Sequence, residues 1–140
     1  MAQQLSASLP RRLAALLYDM FLLTALLMLA TLLALLLNQG QSFGRYPPFF
    51  TGYLWLVSGA FLSWCWCHGG QTLGMLAWKI RLEQQNGQPI LPYQALIRYG
   101  YATLGFWLGG ISYWWCVIDA DGQSLADRLA KTRMVSYPLR

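Results

Sequence analysis

Apolar residues fall into three long blocks. The first, Leu13 to Leu37, is 25 residues long and carries one charge, Asp19. The second, Phe49 to Cys67, is 19 uncharged residues with aromatics at both ends. The third lies within Tyr93 to Ile118 and is punctuated by Gly105 and Gly109-Gly110. An apolar run of more than about 18 residues is a candidate membrane span, because roughly 20 residues at 1.5 Å rise cross the hydrocarbon core. The pattern predicts an all-α integral membrane protein, one membrane domain over residues 1–140, with spans at about 13–37, 49–67 and 99–118. Two of these read as full transmembrane helices. The Gly-broken third hydrophobic segment is either a re-entrant hairpin or a third span, and a break inside the bilayer requires protein or water over its backbone groups.

The polar stretches between the blocks predict smaller elements. Ser8 is a candidate N-cap and Pro10 suits the first turn of a helix. Gly69 and Gly70 end the second block, and Thr72 to Trp78 reads as a short amphipathic helix on the membrane surface. Lys79–Gln84 alternates like a strand, Asn86-Gly87 is a hairpin turn signal, and Thr132–Tyr137 offers a companion strand. A small cytoplasmic β-hairpin is therefore expected within the flanking segments, 68–94 and 119–140. Ser124 with Asp127 three residues on is a capping-box variant opening a last short helix.

Composition agrees with the blocks. Hydrophobic residues are 56% and charged residues 11% of the chain, against about 25% charged in soluble domains. Seven Trp and eight Tyr suit the headgroup region. The net charge of +5 flanks apolar segments, which points to anionic lipid and membrane orientation, not to nucleic acid. Basic residues stand at Arg11, Arg12, Lys79, Arg81, Arg98, Arg128, Lys131, Arg133 and Arg140, with Arg45 alone in the first loop. If Lys and Arg mark the cytoplasm, both ends and the middle loop are inside and the number of crossings is even. A third full crossing would instead put Arg128, Lys131 and Arg133 outside. The first block is too long for a signal peptide, and NQGQS after it is not a small-x-small cleavage site. Three cysteines give no disulfide framework and read as reduced thiols.

Asp19 is the anomaly, because a carboxylate inside the bilayer costs a few kcal/mol unless paired, protonated or facing water. It lies about 10 Å along the helix from Arg12 and almost on the same face. Three pieces then carry a family resemblance: RRLAALLYD at 11–19, GQTLG at 70–74 leading into KIRL, and LADRLAKT at 125–132 leading into RMV. Together they resemble the RDD family of small bacterial membrane proteins, named for one arginine and two aspartates. Order and spacing agree from Arg12 to Val135, including an arginine before the last hydrophobic segment, here Arg98. The resemblance implies that Arg12, Asp19 and Asp127 are the namesake residues, and that Gly70, Thr72 and Gly74 belong to the second motif. The chain departs from the pattern at Met75, where a lysine is common, and at Ala126, where a histidine is frequent. The family implies a membrane protein with a polar site, suggested for transport of ions or small ligands, and no particular substrate.

Two readings of Arg12, Asp19 and Asp127 stand side by side. In one they form a polar cluster that binds a cation or proton, since a carboxylate in low dielectric can load and release a proton. In the other they are a structural network, with Asp127 anchoring the last helix on Arg12 and Asp19 meeting Arg98 or a hydroxyl. Cys65, Cys67 and His68, with Cys116, are weak metal candidates, because C-x-C-H is not a zinc spacing. GQTLG lacks the phosphate-loop form, and Asp119 and Asp121 flank a turn where they are expected to be solvated. The few acids, hydroxyls and single histidine compose no nucleophile-base-orienter set, so neither catalysis nor a cofactor is expected. The expectation is a multi-pass protein of the bacterial inner membrane, a homo-oligomeric transporter of cations or protons. The alternative is a non-catalytic assembly or lipid-interacting module.

Overall fold

The computed structural model describes residues 7–44, 47–119 and 123–136, without the side chains of Ser112, Tyr113 and Cys116. Arg45, Asp121, Tyr137 and Arg140, all weighed from sequence, lie outside the described residues. The first helix, α1 (Leu9–Leu37), starts four residues before the expected span and runs 29 residues, about 43 Å. Pro10 occupies its first turn, as its fixed φ favours. Ser8 sits at the N-cap position, yet its side chain makes no capping bond. Here the expectation fails at the hydroxyl only: the proline already removes one donor that a cap would satisfy.

α1 is long and apolar enough to cross a membrane, and only 6% of its most apolar window is buried by the rest of the protein. A core helix of a water-soluble protein would be covered. The apolar sides of α1, including Phe21, Met28 and Leu33, need another apolar phase. The second helix, α2 (Pro47–Cys67), is 21 residues without a charge. It returns alongside α1, with Tyr53 Oη donating to the Ala30 carbonyl at 3.3 Å.

At the far end of α2 the chain turns through Gly69 and Gly70, both at positive φ. It then enters a one-turn helix, α3 (Leu73–Ala77), capped by the Thr72 hydroxyl, which accepts from Met75 N at 3.3 Å. Gly74 and Met75 face inward while Leu73 and Leu76 stay exposed, the amphipathic split expected of Thr72–Trp78. Strand β1 (Ile80–Gln84) follows. It pairs antiparallel with β2 (Thr132–Ser136), in register Leu82↔Met134 and Glu83↔Arg133. The two strand segments proposed from sequence therefore do pair.

They are not a hairpin. Asn86-Gly87 does turn, with Gly87 N donating to Gln84 O at 2.9 Å, but no ladder continues beyond it. Pro89 has no amide to donate, and Pro92 opens the next helix. The partner of β1 comes instead from near the end of the chain. Both edges of this small sheet are covered. Leu82 N donates to Gly70 O at 2.7 Å on one side, and Ala7 N donates to Met134 O at 3.0 Å on the other.

The third apolar block becomes two helices, α4 (Pro92–Trp107) and α5 (Ile111–Ile118). Gly109 and Gly110 break it, both at φ near 80°, a conformation that costs glycine little. Gly105 is no interruption; it lies buried inside α4, its carbonyl accepting from Gly110 N at 2.9 Å. The last helix, α6 (Leu125–Leu129), has Ser124 Oγ accepting from Asp127 N at 3.1 Å. The chain doubles back between α4 and α5. A straight helix would carry Asp119 about 30 Å from Arg98; instead Asp119 pairs with Arg128 at 3.1 Å while the adjacent Asp127 pairs with Arg98. That Asp119 carboxylate, expected to be solvated, is 3% exposed.

Candidate functional site

The start of α1, the end of α2, the sheet, α3, α6 and the first half of α4 meet at one end of the molecule, and the polar residues meet there too. Asp127 is completely buried. Its Oδ1 accepts from Arg98 Nε at 2.8 Å and lies 2.8 Å from Arg98 Nη2. Its Oδ2 lies 3.5 Å from Arg12 Nη1, an ion pair without hydrogen-bond geometry. Each arginine has a second anchor. Arg12 Nε donates to Ala7 O at 2.9 Å, and the Arg98 guanidinium lies 4.6 Å from the Trp66 ring centre. One carboxylate thus fastens α1, α4 and α6 together, with α2 touching through Trp66.

Asp19 has a different set of partners. Its Oδ2 accepts from the Thr72 hydroxyl, and its Oδ1 accepts from Gly74 N at 2.9 Å. Thr72 is thus donor to Asp19 and acceptor for Met75 N at once, which fixes the hydroxyl hydrogen. Gly74 is needed for closeness: a Cβ there would collide with the Ala15 carbonyl and sit 2.8 Å from Asp19 Oδ1. Gly70 is needed for its positive φ of 70° and its contact with β1. The GQTLG turn therefore holds a carboxylate of α1, and the sheet holds the turn. Among the described residues no ion pair reaches Asp19. Of the two partners expected for it, the hydroxyl is found, in Thr72, and Arg98 is not.

The structure thus separates the three residues that the resemblance singled out into two stations. Arg12 and Asp127 share the buried clamp with Arg98; Asp19 stands with Thr72 and Gly74. Both stations border one cavity of about 390 Å³ between α1, α2 and α4, lined among others by Arg12, Asp19, Thr72, Arg98, Ser58 and Tyr99.

The remaining candidates make no hydrogen bond or ion pair with either station among the described residues, although Cys65 is close enough to Asp19 to feel its charge. Cys65 and Cys67 are half-buried free thiols. His68 Nδ1 is 3.0 Å from Trp64 O and its ring stacks on Trp64. Among the described residues no three His, Cys, Asp or Glu gather as a metal group, and the Cys116 side chain is outside them. Three contacts have no expectation behind them. Tyr99 Oη lies 2.6 Å from Ser58 Oγ and 3.0 Å from Trp55 O. Gly59 lets the Tyr99 ring approach, since a Cβ there would lie 2.7 Å from Cε1. Glu83 Oε1 and Arg133 Nη2 pair across the sheet at 2.7 Å. The signal for the first two is Ser58-Gly59, small residues that permit close helix packing in an apolar segment.

One helix of this mostly helical protein is long, apolar and uncovered enough to cross a membrane. The chain matches the RDD family over residues 6–131, nearly its whole length, and belongs to that family. Comparison with curated proteins and with solved structures finds no match.

Proposed function

We propose that this RDD-family protein is a small multi-pass protein of the bacterial inner membrane that handles a cation or proton at Asp19. The Arg12–Asp127–Arg98 clamp serves as its frame. The carrying observation is that Asp19 borders the cavity with a hydrogen bond to each oxygen and no cation paired to it among the described residues. An anion in an apolar segment calls for a neutralising partner, and the cavity gives access to one. Asp127 has no such need, being already paired to two arginines.

The topology we propose has α1 and α2 as two crossings, with the α4–α5 hairpin entering and leaving on the cytoplasmic side. Support comes from the grouping of Lys79, Arg81, Arg98, Arg128, Lys131 and Arg133 around the sheet and clamp, the end where positive charge marks the cytoplasm. A cysteine placed at Ser136 should resist membrane-impermeant labelling in intact cells; labelling from outside would overturn this orientation.

The functional test is a proton or sodium gradient imposed on proteoliposomes. Wild-type protein should show pH-dependent cation flux, and Asp19→Asn should remain folded and silent. Full flux in Asp19→Asn, or none in the wild type, would refute the reading. Native mass in detergent with bound lipid would show whether the pathway belongs to one copy or is shared between copies.

A further inference from the structure

The polar end of the cavity between α1, α2 and α4 is simpler than its residue types suggest. Arg98 is engaged by Asp127 and the Trp66 ring, and Arg12 by Asp127 and the Ala7 carbonyl. Ser58 Oγ and Tyr99 Oη lie 2.6 Å apart, and at 2.8 and 3.0 Å from Trp55 O. Thr103 Oγ1 donates to Tyr99 O at 2.7 Å, and Thr72 both donates and accepts. Among the described residues, the charge left to be answered is that of Asp19. An ionised carboxylate has about four lone-pair sites; Thr72 and Gly74 N take one on each oxygen. Room remains for further donors.

Hydrocarbon begins directly beside that carboxylate. Leu23 and Leu27 follow Asp19 at four-residue steps along one side of α1, about 12 Å from first to last. Leu62 of α2 and Phe106 of α4 line the cavity with them. Phe106 is 60% exposed, which leaves the apolar end open sideways to surrounding lipid. Along the wall, one negative charge is thus followed by an apolar stretch. A volume of about 390 Å³ falls in the range of roughly 300–1,000 Å³ typical of organic ligands. A hard cation such as calcium takes roughly six to eight oxygens, more than one carboxylate and an engaged hydroxyl supply. A neutral amphiphile would leave the charge of Asp19 unanswered, at a cost away from water. An organic cation satisfies both ends.

We infer that this cavity binds a protonated lipophilic amine, its ammonium donating to Asp19 and its apolar body lying along Leu23, Leu27 and Phe106. This rests on the reading of Asp19 as a cation-binding carboxylate, and names the class of the cation. The two ends act differently. Lipid tails are as apolar as leucine, so the lining admits a hydrocarbon body without preferring it to the bilayer. The N–H bond to the carboxylate selects. An alkylamine carries its charge at neutral pH, because its pKa resembles that of lysine, about 10.

The test is retention of tritiated octylammonium by the full chain in phosphatidylcholine nanodiscs at neutral pH, with protein-free discs subtracting simple partitioning. Wild-type protein should hold it saturably. Octyltrimethylammonium, with the same charge and chain but no N–H, should bind roughly tenfold or more weakly, the worth of one charge-assisted hydrogen bond. Octanol, or sodium at equal concentration, should displace none of the amine. Asp19→Asn should lose the retention. Leu27→Trp, which fills the apolar end and leaves the carboxylate in place, should weaken it. Displacement by octanol or by equal sodium, or equal affinity for the quaternary cation, would overturn the assignment, and these competitions need no variant to fold. Amine retention without cation flux would remove the transport reading and keep the site; proton or sodium flux by protein that retains no amine would do the reverse.

Discussion

Asp19 and Asp127 occupy the same end of the molecule, and each is held by groups far away in the chain. The kind of holding differs. Asp127 has no exposed surface, and two guanidinium groups answer its charge. Asp19 is half-buried, held by a hydroxyl and a backbone amide, and borders a cavity. Charge pairing in a closed site gives a fixed joint, because losing either partner strands a buried ion. Hydrogen bonding beside an open cavity orients a carboxylate yet leaves its charge to be met by something that comes and goes. Two acids at one end of the molecule are thus held differently: one is charge-paired between helices, and the other is oriented beside a cavity, where the proposed function places a cation.

The widest gap between them should appear in stability. Asp127→Ala leaves Arg12 and Arg98 buried around an empty position, a change expected to cost about 3–5 kcal/mol. The folded population in detergent, followed by thermal unfolding on size exclusion, should collapse. A mild loss would break the comparison. Arg98→Lys should recover little, because a single ammonium cannot replace Nε and Nη2 together on Oδ1 or lie flat on Trp66.

A smaller effect is expected at the glycine beneath Asp19. Gly74→Ala drives a methyl into the Ala15 carbonyl and against Asp19 Oδ1, with an expected loss of about 1–3 kcal/mol. Gly52→Ala, where the added methyl meets nothing within 4 Å, should melt like the wild type. If both glycines behave alike, the close approach of α3 to α1 is not what holds Asp19.

Asp19→Asn keeps an oxygen to accept from Gly74 N and turns its NH2 toward the Thr72 oxygen, which can accept in place of donating, so stability should fall by about 1 kcal/mol. Its ion flux should nonetheless disappear. That split between folding and activity is the sharpest form of the contrast. Glu83→Gln is expected to give the smallest change. Glutamine keeps an oxygen to accept from the Arg133 side chain and spares the burial of a carboxylate that is 8% exposed, so the net loss should be about 1 kcal/mol or less.

How much of this was legible beforehand depended on the range of the interaction. The three apolar blocks, the break at Gly109-Gly110 and the cap at Ser124 are local, and each appears where the pattern puts it. Pairing of Lys79–Gln84 with Thr132–Tyr137 was readable as two alternating runs, but the turn at Asn86-Gly87 suggested the wrong connection. Gly105 misled for a related reason. A glycine weakens a helix on average, and here burial inside α4 outweighs that weakness. Arg98 was legible as a partner for an acid, but not for which one. Its place on α4 opposite Asp127, and not Asp19, follows from the doubling back of α5 and the docking of α6, neither of which leaves a periodic trace.

The order of residues by itself determined the solvent of this protein, because a run of apolar side chains as long as Leu13–Leu37 has to be matched by an apolar phase wherever it folds. It also determined that Arg12, Asp19 and Asp127 need company, because an ion away from water is costly in any arrangement. Only the tertiary structure decided which company each received. Partner choice is set by where the GQTLG turn and the final helix come to rest, and that position is the sum of many weak contacts spread over the whole chain.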